Sequence, residues 1–127
     1  MDMKLELVPV PVSDIDRAKA FYVGQVGFHL DHDVEPGNGM RVVQLTPPGS
    51  ACSILLGSGM GEITDMTPGI LKGLHLVVRD VAMLREELVA RGVAMGDIVE
   101  YPGGIKYAWF SDPDGNSWTL QEVPAQL

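Results

Sequence analysis

Apolar and polar residues alternate over residues 5–12, the period of a half-buried strand. Pro9 and Pro11 place that strand at a sheet edge, where missing N–H donors are tolerated. Ser13 or Asp14 is positioned to cap a helix by accepting from its unpaired N–H groups. Ile15, Ala18 and Tyr22 recur at i, i+3 and i+7 with Phe21 beside them, giving the helix one apolar face. Gly24 and Gly27 are expected to end it, because glycine takes the left-handed conformation at little cost. Residues 28–34, 40–46 and 51–56 then read as three strands, separated by Pro36-Gly37-Asn38-Gly39 and Pro47-Pro48-Gly49.

The second half repeats that order. Residues 71–78 form a strand, Asp80 caps a helix with Val81, Leu84 and Leu88 on its buried side, and Gly92 ends it. Glu86, Glu87 and Arg91 lie off the apolar stripe, as a solvated face requires. Strands over residues 94–99, 105–110 and 117–123 follow, around Pro102-Gly103-Gly104 and Asp114-Gly115. The punctuation repeats at a nearly fixed offset: Val12-Ser13-Asp14-Ile15 matches Val78-Arg79-Asp80-Val81 66 residues on, and Thr46-Pro47-Pro48-Gly49 matches Asp112-Pro113-Asp114-Gly115. Gly27-Phe28 and Gly92-Val93 lie 65 apart. The chain therefore reads as a duplication. Residues 1–57 form one β-α-β-β-β unit, 58–70 a linker, and 71–127 a second unit, together an α+β fold in one domain. A single unit would leave bare the sheet face that its helix does not cover. Two units can bury those faces against each other, giving a strand-lined cleft.

Composition narrows the partners. A chain of 127 residues with 46% hydrophobic and 20% charged residues has the make-up of one globular domain. A net charge of −8 argues against nucleic acid, whose phosphates require a basic surface. It suits a cationic or neutral small molecule, although acidity also serves plain solubility. No run approaches the roughly 20 apolar residues of a membrane span, and the first residues lack a basic segment followed by an apolar one, so a cytoplasmic protein is expected. Cys52 is the single cysteine, which excludes an intrachain disulfide and a multi-cysteine zinc site.

Val12-Ser13-Asp14, Ala20-Phe21-Tyr22 and Val26-Gly27-Phe28 in the first half, with Val78-Arg79-Asp80, Ala90-Arg91-Gly92-Val93 and above all Phe110-Ser111-Asp112-Pro113-Asp114-Gly115-Asn116 in the second, resemble the vicinal-oxygen-chelate superfamily of glyoxalases, bleomycin-resistance proteins and extradiol dioxygenases. The resemblance spans essentially the whole chain and implies two tandem βαβββ units. It leaves function open among lyases, isomerases, epimerases, dioxygenases, thiol transferases and drug-binding proteins. Metal-dependent members carry one ligand on the first and one on the last strand of each unit, as His or Gln, Glu, His and Glu. The implied positions here are Leu7, Ser53, Gly73 and Thr119. None offers an imidazole or a carboxylate, and a slip of one residue, to Glu6 or Val8, Lys72 or Leu74, Trp118 or Leu120, does not restore the array. Neither metal nor other cofactor is expected.

Strand alternation puts Leu7 and Pro9, Ser53 and Leu55, Gly73 and His75, and Thr119 and Gln121 on the cleft face. His75 is the one titratable candidate there: it could orient a substrate, serve as an acid/base, or be a half-buried histidine bonded to a neighbour. His29, Asp31 and Asp33 share one face of their strand with His32 opposite, the pattern of a solvated strand, since chelation needs further ligands from elsewhere. Trp109 shares a face with Tyr107 and fits pocket or core equally; Trp118 should point into the core. The expectation is a metal-independent small-molecule-binding protein sequestering a drug or metabolite. The alternative is a lyase or isomerase using His75 with polar groups near Thr119 and Gln121, without metal or with displaced ligands. The resemblance also implies a homodimer, in which some relatives exchange units.

Overall fold

The computed structural model describes residues 1–124. The first unit comprises β1 (Leu7–Pro9), α1 (Ile15–Lys19) prolonged by wide π-helical turns over Ala20–Val26, β2 (His29–Gly37), β3 (Met40–Thr46) and β4 (Ser53–Ser58). The second comprises β5 (Leu74–Val77), α2 (Val81–Ala90), β6 (Val99–Tyr101), β7 (Ile105–Ser111) and β8 (Ser117–Glu122). Each unit is a four-stranded sheet, in the orders β1-β4-β3-β2 and β5-β8-β7-β6. The strand before each helix runs parallel to the last strand of its unit, and the remaining pairs are antiparallel. A 3₁₀ turn at Gly61–Ile63 lies between the units.

Both helices start on the aspartate that the sequence marked. The Asp14 and Asp80 carboxylates accept from the main-chain N–H of Arg17 and Met83, each at 3.0 Å. Gly24 does not end the first helix; it sits within the π-helical turns. Gly27, at φ +95°, ends it, and the Gly27 and Phe28 N–H groups both donate to the Tyr22 carbonyl.

Several strand limits differ from the alternation pattern. β1 is confined to three residues, because Pro9 and Pro11 cannot donate to a ladder. β2 runs on to Gly37, and β4 begins at Ser53 rather than 51, after a turn in which Ser50 hydroxyl bonds the Cys52 carbonyl. β5 begins at Leu74 rather than 71, because Gly73 at φ +75° breaks the extended backbone. β6 is Val99–Tyr101, not residues 94–99: Gly96 donates to the Trp109 carbonyl, but no ladder forms around that bond.

The two units meet through their helix-side faces, which share one apolar cluster. Phe21 packs on Phe110 with ring centroids 6.2 Å apart, and Tyr22 and Phe28 meet Trp118 edge-on at 5.8 and 5.6 Å. A buried polar chain crosses the same junction. Trp118 Nε1 donates to the Tyr22 hydroxyl (2.9 Å), which donates to Asp112 (2.8 Å). Asn116 Nδ2 donates to Asp112 and to the Pro11 carbonyl, both at 2.8 Å. Burial, reinforced by the Asp112 charge, holds the Tyr22 hydroxyl far above its ordinary pKa, so it remains a donor. Near the middle of the junction Gln25 Nε2 donates to the Arg91 carbonyl (3.1 Å) while Arg91 Nη1 donates to the Gln25 carbonyl (3.2 Å). Those positions lie within one residue of equivalence in the repeat, so the reciprocal bonds straddle an approximate internal two-fold axis.

Candidate ligand-binding face

Each sheet has a second face, opposite the helix. On the second sheet it is built from alternate residues of four strands. Strand register aligns His75, Thr119 and Trp109 in one row and Val77, Gln121, Tyr107 and Val99 in the next. Tyr101, two residues past Val99, shares the face. Tyr107 and Trp109 lie nearly parallel with centroids 6.3 Å apart, while Tyr101 and His75 meet the Tyr107 ring edge-on at 5.5 and 6.3 Å. Four conjugated rings thus form one continuous patch. Trp109 is 39% and Tyr101 49% exposed, and Val77 beside them 40%. A contiguous aromatic surface open to water marks a binding surface more often than isolated exposed side chains do.

His75 is oriented by its own strand. Its Nδ1 lies 2.5 Å from the Gly73 carbonyl. A carbonyl can only accept, so Nδ1 carries the hydrogen, and the neutral ring is left with an accepting lone pair on Nε2. Gly73 also sets the register. In the first unit Leu7 stands beside Ser53, and the repeat offset would place Gly73 beside Thr119. The Ser117 N–H bonds Leu71, but the next pair is Leu74 with Trp118, so residues 72–73 bulge out. His75, not Gly73, consequently stands beside Thr119. The shift is two residues, so the same strand face is presented.

On the first sheet the corresponding face carries Leu7 and Pro9, half-buried, beside Ser53 and Leu55, both buried. The Ser53 hydroxyl is 2.7 Å from that of Thr46, which also bonds Asp31. No hydrogen bond or aromatic contact among the described residues joins this face to its counterpart on the second sheet. The positions where the resemblance places metal ligands therefore hold Leu7, Ser53, Thr119 and, by register, His75 in place of Gly73. One imidazole with Nδ1 already engaged, two neutral hydroxyls and a leucine do not fit a divalent ion that needs three or four strong donors. Among the described residues no three His, Cys, Asp or Glu side chains converge elsewhere.

The charged strand β2 is only partly solvated. His29 and His32 are exposed, and His29 Nε2 is 3.8 Å from Asp31. Asp33, in contrast, is held by Arg41 at 2.9 Å and Lys19 at 2.8 Å. Hydrogen bonds from Arg41 first, then Lys19, keep its carboxyl well below the ordinary carboxylate range. Arg41 also reaches Asp16, at 2.8 Å, so this cluster fastens the first helix to β2 and β3.

Trp118 lies in the core, 3% exposed, and Trp109 on the open face. Two cavities lie elsewhere. One of about 650 Å³ lies between Ser13-Asp14-Ile15 and the β2–β3 turn. The other, of about 630 Å³, lies between β5, α2 and the Pro47–Ser50 turn. Of the expected cleft residues only His75 borders either. Two groups escaped the sequence reading. Tyr101 fell outside the expected strand 94–99, so its face could not be assigned. The Tyr22–Asp112–Asn116–Trp118 chain was signalled only by a tyrosine on an apolar helix stripe and by the Asp112-to-Asn116 motif.

No helix of the described residues is long and apolar enough to cross a membrane. Over residues 4–120 the sequence matches the model of the Glyoxalase/Bleomycin resistance protein/Dioxygenase superfamily. Among solved structures the chain is similar to TnmS3, an antibiotic binding protein from Streptomyces sp. CB03234, with 38% identity over 96% of this chain and 97% of that one, and a TM-score of 0.82. It is similar to a glyoxalase/bleomycin resistance protein from the same organism at 40% identity, covering 92% and 98% of the two chains, with a TM-score of 0.76. A superfamily member from Sphaerobacter thermophilus DSM 20745 is 33% identical, over 96% and 98% of the chains, with a TM-score of 0.81. Among curated protein sequences none matches. The matched family model covers both units and the observed βαβββ repeat is the architecture the resemblance implied, so the chain belongs to the glyoxalase/bleomycin resistance protein/dioxygenase superfamily.

Proposed function

We propose that this chain is a metal-independent small-molecule-binding protein that sequesters a planar drug or metabolite in the cytoplasm. The carrying observation is the exposed aromatic patch of His75, Tyr101, Tyr107 and Trp109 around Thr119 and Gln121. Offset stacking on such rings combines apolar burial with a geometric preference for flat ligands. The similarity to an antibiotic binding protein supports the same reading. Among the described residues nothing covers the face, and a second copy offering Leu7, Pro9, Ser53 and Leu55 would supply the other wall of a cleft in a homodimer. Trp109, as the exposed one of two tryptophans, provides the assay. Fluorescence titration with planar antibiotics should quench its emission saturably, the compound should be recovered unchanged, and sedimentation equilibrium should give twice the chain mass. Failure of every planar compound to bind would overturn the reading.

A lyase or isomerase reading is favoured by one observation, the accepting Nε2 of His75 on the same face. It requires chemical conversion of a bound compound that disappears in His75→Ala.

A further inference from the structure

We infer that His75 is the specificity determinant of this face, and that the ligand it selects is a flat, fused-ring molecule carrying a hydroxyl at one end. The inference rests on the binding role proposed above and adds the chemistry of the ligand. His75, Thr119 and Trp109 lie in one row on adjacent strands β5, β8 and β7. Two interstrand spacings separate the imidazole from the indole, about 10 Å. A molecule stacked on Trp109 and lying across Thr119 therefore brings its far end to His75 when it is about three fused rings long.

What it meets there is fixed by Gly73. Its carbonyl takes the Nδ1 hydrogen, so in its neutral form the imidazole offers an acceptor at Nε2 and has no second N–H to donate. A hydroxyl satisfies that lone pair. An ether or a carbonyl oxygen at the same place sets two acceptors against each other and leaves both without water. Thr119 is 3% exposed and cannot swing out to substitute for the imidazole. The edge-on contact with Tyr107 further restricts the ring of His75.

The test uses 2-phenanthrol and its methyl ether, which share the ring system and differ in the hydroxyl hydrogen, titrated against the full chain by Trp109 fluorescence. The phenol should bind about fivefold more tightly, the worth of one net hydrogen bond. His75→Phe keeps a ring against Tyr107 and removes the acceptor, so the two affinities should converge. His75→Gln returns an acceptor near the Nε2 position and should restore the preference in part. Equal binding of phenol and ether by the wild-type chain, or a preference that persists in His75→Phe, overturns the inference and leaves the binding role standing. Failure of both compounds to bind overturns the inference, whereas the binding role falls only when no planar compound binds.

Discussion

The two units are joined twice across the internal axis, and the two junctions are unlike. On one side the Asp112-to-Asn116 turn of the second unit grips Pro11 and Tyr22 of the first through buried hydrogen bonds and Ser13 through an exposed one. On the other side the equivalent turn, 66 residues earlier, meets the equivalent strand and helix across a cavity of about 630 Å³. The repeat offset explains the difference residue by residue. Tyr22, Asn116 and Asp114 correspond to Leu88, Ser50 and Pro48, all three of which line that cavity. A shorter side chain stands at each place, and no carboxylate replaces Asp112, whose counterpart is Thr46. The two units share one topology, but only one junction carries the polar fastening. The other was left with room.

The sharpest way to break this contrast is Asp112→Ala. Asp112 accepts from Tyr22, from Asn116 twice and from the Asp114 N–H, so its removal strands several buried donors. We expect a loss of about 3 kcal/mol in chemical denaturation. A cost below about 1 kcal/mol would show that the gripped junction is no stronger than the gaping one. Tyr22→Phe is expected to cost less, about 1–2 kcal/mol, since it leaves Trp118 Nε1 and one Asp112 oxygen each short of a partner while the ring contacts persist.

Leu88→Tyr combined with Ser50→Asn copies the first junction into the second. Because the cavity has space for both, stability in the same measurement should stay within about 1 kcal/mol of wild type. Overpacking a closed core typically costs about 1–3 kcal/mol, and a loss in that range would mean that the space is not the counterpart of the Tyr22 site.

Much of the fold could be read from residue pattern because its determinants are local. β3 spans Met40–Thr46 as expected, since strict alternation is bounded on both sides by glycine- and proline-rich turns. The Asp14 and Asp80 caps are equally local. Residues 94–98 misled, because apolar Ala94 and Met95 suggested a strand where no ladder forms. At the candidate site, alternation assigned His75 and Thr119 to one face and left Trp109 between pocket and core, and it could not say what covers the face, which depends on how the units dock. The buried chain from Trp118 to Asn116 was invisible for the same reason: its members come from two stretches of sequence 90 residues apart. Repeat counting relates Leu7 to Gly73, but a backbone bulge sets His75 beside Thr119, which no residue pattern could signal.

That backbone effect gives Gly73 an importance out of proportion to its size. A Cβ at this position would meet only the His75 ring, at 3.9 Å, so space is not what restricts it. The restriction is torsional, about 1–2 kcal/mol for any residue with a side chain at φ +75°. While the loop holds, a histidine stands in the central row; a regular ladder continued from the bond between Ser117 and Leu71 would bring Leu74 there instead. The side chain that this surface presents is thus set by a main-chain angle two residues away and not by any residue of the row itself.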